Sequence, residues 1–323
     1  MQEEDQTDGE YIMLDATDIS NDAHNIISLD DYIKADKTGI DYSDFYLFIS
    51  CRRSSLCFYR KLSIDLYKDE KSIEDINSLI INFKGKRIYR IHDIHDYTFI
   101  DGYEGFKNYC KNLNINLVIG NYIYNNESKI ISAILKNLGI PYCVIPNLIN
   151  DTIFKDYGNE KIYDILIYGS MGFCYILRKR MLDIIKRTSR WKSRIISFNE
   201  LTGAELSKEI NKSYLSVSTC STFEYLVCKY IEIPLSGSLV IGNMPEQGKS
   251  LFSDDDFIHV TNDMTDQEII DIVDTAITNK ADILHKIKRL NDKLEFFKVK
   301  YLNNYLCKCI DFLKTQLGVS TLI

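Results

Sequence analysis

Short apolar runs recur along this chain, separated by polar or helically spaced stretches, and their order predicts an α/β protein. In the first half, Tyr11–Leu14, Phe45–Ser50, Arg87–Ile91, Leu117–Gly120 and Tyr142–Ile145 read as strands. Several are apolar on both faces and rich in β-branched and aromatic residues, as the strands of a helix-covered parallel sheet are. Between the last two, Glu127–Leu138 has helical spacing and ends at Gly139, a C-cap ahead of Pro141. That is a β-α-β unit. Residues 146–158 lack a clear period and carry turn residues, which marks a link. A second α/β region starts at Tyr163–Tyr168 and continues with strands at Arg194–Phe198, Tyr214–Ser218, Leu239–Ile241 and Phe257–Val260. Helices are expected over Tyr175–Thr188, Thr202–Asn211, Thr222–Glu232, Asp266–Asn279, Ile283–Lys293 and Phe296–Leu317.

A chain of 323 residues is long for one core. Two domains of roughly 150 residues are the prior, with boundaries at 1–150 and 151–300 and a last helical segment at 301–323. The 45% apolar and 26% charged content is that of an ordinary globular protein. A net charge of −7 argues against a nucleic-acid partner, which needs a basic face, but leaves room for one local basic pocket. The acidic, polar first ten residues are the opposite of a secretory signal, and no apolar run approaches the ~18 residues of a membrane span. A soluble, cytoplasmic protein is expected. Nine scattered cysteines without a C-x-x-C read as reduced core thiols.

Three stretches carry candidate chemistry. Gly169-Ser-Met-Gly172 follows a strand and precedes a basic helix; glycine there lets the backbone approach a phosphate, although the same turn serves a plain βα connection. Arg178, about two turns on, supplies a charge for a diphosphate, whereas Lys179 and Arg180 read as a solvated face. Lys229 and Glu232, three apart on a helix, lead through Ser236-Gly237 into the buried strand Leu239–Ile241, so their shared face points inward. A carboxylate such as Glu232 suits a sugar diol. In the first half, Arg90-Ile-His-Asp-Ile-His-Asp96 ends a strand where α/β proteins place ligands. Its residues suit a metal, a general base or a polar loop with a packed histidine; Asp93 and His95 are the best acceptor-side bases.

The second half resembles the C-terminal domain of GT-B glycosyltransferases, closest to the branch of CgeB-like proteins and related cell-surface or viral polysaccharide transferases. Three matches in the same order carry the likeness: Tyr163–Ser170 with Tyr175–Arg178, the element Lys229–Gly242, and Phe257–Val260 with Asp266–Ala276. The resemblance implies two Rossmann-like domains facing a cleft, with the C-terminal helix returning to the first. It implies that Glu232 holds ribose hydroxyls, that Gly169, Ser170, Arg178 and Lys229 lie near the diphosphate, and that Ser236 and Gly237 close the turn beside it. The spacing of Glu224 and Glu232 resembles the paired acids of the GT-4-like class, which makes Glu224 a catalytic candidate. The Gly-Phe-Gly-Leu-Pro that usually follows the first acid is absent, so retention or inversion stays open.

The expected reaction is transfer of a hexose from a nucleoside-diphosphate sugar, such as a UDP-sugar, to a glycan or another protein or lipid hydroxyl. No metal or resident cofactor is required, because Arg178, Lys229 and the helix-start amides at Gly169 and Ser170 meet the leaving-group charge. A catalytically inactive sugar-binding or scaffold protein and a nucleotide-sugar epimerase are the alternatives.

Overall fold

The computed structural model describes residues 12–13, 25–35, 39–50, 73–91, 102–122 and 126–316. By its contacts the chain forms two compact units, Met1–Pro146 with Asn303–Ile323, and Asn147–Leu302. Among the described residues no helix is long and apolar enough to cross a membrane.

The first unit holds strands β1 (Ile12–Met13), β2 (Ile26–Ser28), β3 (Tyr46–Ser50), β4 (Lys86–Arg90), β5 (Leu117–Gly120) and β6 (Tyr142–Val144). All pairings are parallel, in the order β1-β6-β5-β4-β3-β2. Every residue of β5 and β6 is buried, as runs apolar on both faces require. The helices are α1 (Leu29–Lys34), α2 (Ile73–Ile81), α3 (Gly102–Asn112) and α4 (Asn126–Leu138). The sequence pattern anticipates α4 but not β2, α1, α2 or α3. From β4, Arg87 closes the end of α2: its Nε donates to Ile80 O at 2.7 Å, and Nη2 donates to Ile81 O at 2.8 Å and Phe83 O at 2.6 Å.

The second unit is a doubly wound sheet of β7 (Tyr163–Tyr168), β8 (Ser193–Ile196), β9 (Ser213–Val217), β10 (Leu239–Gly242) and β11 (Ile258–His259). Its helices are α5 (Ile176–Thr188), α6 (Gly203–Asn211), α7 (Lys229–Leu235), α8 (Glu246–Lys249), α9 (Asp266–Thr278) and α10 (Lys280–Lys293). The parallel order is β11-β10-β9-β7-β8, so the winding reverses between β7 and β9. Strand alternation divides the core in two. Ile165 and Ile167 meet α5, α9 and α10 on one face, while Leu166 and Tyr168 meet α6 and α7 on the other.

Two expected helices differ. Residues 222–228 form a loop, and α7 starts only at Lys229. Thr222 N donates to Cys174 O at 2.9 Å, Phe223 N to Ser221 Oγ at 3.2 Å and Glu224 N to Ser221 O at 3.0 Å, a single tight turn that the left-handed backbone of Glu224 at φ +57° stops from continuing as a helix. The expected Phe296–Leu317 helix begins instead with two 3-10 turns, Glu295–Phe297 and Val299–Tyr301, followed by α11 (Leu302–Gln316). Here a bridge pairs Ile149 with Lys298, with Ile149 N donating to Phe297 O at 2.8 Å and Val299 N to Ile149 O at 2.9 Å. Glu295 gathers Lys298, Lys300 and the Tyr301 hydroxyl, which fixes the irregular turn. From Asn303 onward the helix contacts the first unit.

Replacing Arg87 with Met leaves three carbonyls at the end of α2 without their donor. Urea denaturation should show a loss of about 2–3 kcal/mol; a loss under about 0.5 kcal/mol would mean that water replaces the guanidinium there.

Candidate functional site

In an open parallel sheet, ligands bind beyond the strands' C-terminal ends where the winding reverses. In the second unit that point lies between the turn after β7 and the loop after β9. Gly169 opens the turn with φ +90°, a conformation that glycine adopts without strain. A Cβ there would stand 2.1 Å from Lys229 Nζ and 3.8 Å from Arg178 Nη1. Two cations thus converge on one glycine.

Arg178 lies on α5 and is 1% exposed. Its Nη1 donates to Ser170 O at 3.0 Å and its Nη2 to Thr219 O at 3.1 Å, which ties the two loops together. The guanidinium stacks on Tyr175 at 3.8 Å from the ring centroid. Among the described residues, Arg178 Nε and the neighbouring Thr219 Oγ1 are buried without hydrogen-bond partners. Lys229, at the start of α7, donates to Tyr168 O at 2.6 Å and sits 3.8 Å from the Tyr168 ring centroid. One turn on, Glu232 faces the same space.

The electrostatics are those of an incompletely balanced cluster. Burial pushes the Glu232 carboxyl up to about 7, against the opposing pull of Lys229 and the Tyr168 hydroxyl. That hydroxyl is close enough to bias Glu232, yet it forms no well-aligned hydrogen bond. Burial lowers Lys229 well below the usual lysine range; the Arg178 charge lowers it further and Glu232 partly restores it. Lys229 and Glu232 are half-buried, and the protein around their charged ends shifts both. The cluster can accept an anion between its cations and offer a carboxyl to hydroxyl donors.

Of the residues expected from sequence, Gly169, Ser170, Arg178, Lys229 and Glu232 come together. The amides at Gly169 and Ser170 belong to a turn and not to the first turn of a helix, because α5 begins at Ile176. Ser170 Oγ accepts from Gly172 N at 3.2 Å, which shapes that turn. Ser236 and Gly237 do not join the cluster. The turn after α7 lies at the N-terminal edge of the sheet, where Ser236 is fully buried with its Oγ 2.9 Å from Ser207 Oγ. Glu224 is exposed on the loop after β9, in left-handed backbone at φ +57°, with its charge felt by Cys220 and Lys249. Asp93 and His95 lie outside the described residues. Arg180, expected on a solvated face, instead donates to Asp266 Oδ1 at 2.8 Å and to Met264 O at 2.6 Å, anchoring the start of α9. Sequence reasoning missed Tyr168, Tyr175 and Thr219, which confine the two cations; the aromatic before each turn or helix start was the only signal.

No family model matches the sequence, and no curated protein matches it. Solved structures do. TarM superposes with a TM-score of 0.54 at 13% identity over 88% of this chain. A variant of S. aureus TarM crystallised with fondaparinux, α-GlcNAc-glycerol and UDP gives 0.52 at 12% identity over the same share. A sucrose-phosphate synthase from Thermosynechococcus elongatus gives 0.51 at 9% identity, covering 85% of this chain and 74% of that one. The chain spans 58% of TarM's length. At these identities the likeness establishes the fold, two parallel-sheet Rossmann-like units of the GT-B glycosyltransferase type.

Gly169→Ala forces a side chain into left-handed backbone and onto the Lys229 ammonium. A stability loss of about 1–3 kcal/mol is expected in thermal or urea unfolding; an unchanged midpoint would show that the turn relaxes at no cost.

Proposed function

We propose that the second unit binds a nucleoside-diphosphate sugar and that the protein transfers its hexose to a glycan or another hydroxyl acceptor. The observation that carries this reading is the convergence of Arg178 and Lys229 on Gly169, with Glu232 one helical turn away. As the glycosidic bond breaks, the sugar gains oxocarbenium character and negative charge gathers on the departing diphosphate. Arg178, Lys229 and the turn amides at Gly169 and Ser170 meet that charge inside protein, where it is worth far more than in water. In this reading Glu232 accepts hydrogen bonds from the ribose hydroxyls, and the diphosphate draws Lys229 off the Tyr168 carbonyl. The acceptor's proton goes to Asp93 or His95, and Glu224 faces the donor sugar. No metal takes part, and the chain falls in the CgeB-like branch.

The first test is thermal unfolding with UDP, GDP and TDP. A ligand at 100 times its Kd adds about 2.7 kcal/mol of stability. A shift is expected with at least one of them, and its absence with all three would remove the reading. Incubation with labelled UDP-, GDP- and TDP-sugars and EDTA then separates the alternatives. Transfer or donor hydrolysis that persists under chelation supports a metal-free transferase. Binding without turnover favours a scaffold, and an altered donor sugar without acceptor favours an epimerase.

Affinity should follow a bell in pH. The ionised Glu232 is the better diol acceptor, so binding of the nucleoside diphosphate rises as pH climbs through about 7. It falls on the alkaline side as Lys229 loses its proton. Titration calorimetry of Glu232→Gln should show the acidic limb gone and the alkaline limb kept. An acidic limb that survives in the variant would take Glu232 out of the site.

A further inference from the structure

The donor helix α7 runs from one edge of the second sheet to the other. Lys229, at its start, reaches the turn after β7; its far end is held by a side chain that the proposed chemistry does not use. Lys161, two residues before β7, donates from Nζ to Asn211 O at 2.6 Å, to Ser213 O at 3.0 Å and to Gly237 O. Those carbonyls belong to the end of α6, the start of β9 and the turn after α7. All three ammonium protons therefore have an acceptor in a different element.

The surroundings fix this contact. Gly237 sits at φ +80°, and a Cβ there would meet Asn211 Nδ2 at 2.7 Å. Asn211 Nδ2 donates in turn to Ser236 O at 2.9 Å and to Asp156 Oδ1 at 2.7 Å. Burial brings the Lys161 ammonium down to about 8, with Asp156 as the charge that opposes the fall. From the Gly237 turn the path to the site is short, because Ser236 N donates to the Glu232 carbonyl at 3.0 Å.

We propose that Lys161 is a positioning residue, which locks the end of α7 against the start of β7 and so sets the separation of Glu232 from the Gly169 turn. This rests on the donor-site reading above. Without the ammonium, three carbonyls lose their common donor, the Gly237 turn opens, and Glu232 drifts relative to Arg178.

The test is calorimetric binding of UDP to wild type, Lys161→Ala and Lys161→Arg, with ammonium chloride or tetramethylammonium chloride added. Lys161→Ala should weaken UDP binding by about tenfold or more. Ammonium, small enough for the carbonyl cage, should restore at least about threefold of that, and tetramethylammonium none. Lys161→Arg should bind better than the alanine variant. Equal affinity of Lys161→Ala and wild type overturns the proposal, as does a loss that ammonium and arginine both fail to recover. If the alanine variant does not fold, amide exchange in wild type decides. UDP should slow residues 236–238, which lie away from any ligand contact, and unchanged exchange there overturns the coupling. A wild type that binds no nucleoside diphosphate would overturn the donor site itself, a result distinct from equal binding by both forms.

Discussion

The second unit is organised around a like-charge repulsion. Arg178 and Lys229 both lie within 4 Å of the point where a Gly169 side chain would begin, and Glu232 is the acid that faces them. At an effective dielectric near 20, two cations at roughly 6 Å repel by on the order of 2–3 kcal/mol. Burial adds to that cost, and the chain answers it with main-chain carbonyls from Tyr168, Ser170 and Thr219 and the faces of two tyrosines. Those partners are weaker than a counterion. A diphosphate would relieve the repulsion, so part of that cost returns as binding energy for an anion.

Sheet topology explains why the cluster forms where it does in the second unit. In the first unit the described strands run consecutively from β2 to β6, with β1 beside β6. In the second, the reversal between β7 and β9 leaves two loops diverging from adjacent strands. Arg178 bridges those loops, and α7 delivers Lys229 and Glu232 beside them. The other end of α7 is fixed at the opposite edge by Lys161 and Asn211, so the geometry of the site depends on residues a full strand length away.

Much of this was legible in the sequence. β7 and β10 were readable because their apolar runs are largely buried on both faces; β7 occupies the expected residues, and the other second-unit strands fall within about two positions. The charged cluster was readable because Gly169, Arg178 and Glu232 follow strand-turn-helix order. Ser236 and Gly237 stay outside it because adjacency in sequence is not adjacency in space. In any βαβ unit the turn after a helix lies at the edge opposite the turn before it, which puts these residues a strand away from Gly169. The helix expected from Thr222 fails because Glu224, within it, takes left-handed backbone at φ +57°. Lys161 gave no signal, since nothing in its neighbours foretells three carbonyls converging from distant elements.

The most direct measurement is a crystal structure with UDP bound. The account predicts diphosphate oxygens between Arg178 and Lys229 against the Gly169 turn, ribose hydroxyls on the Glu232 carboxylate, and Lys229 Nζ drawn away from the Tyr168 carbonyl. UDP seated elsewhere, or seated with Glu232 still turned to Tyr168 and Lys229 unmoved, would contradict it.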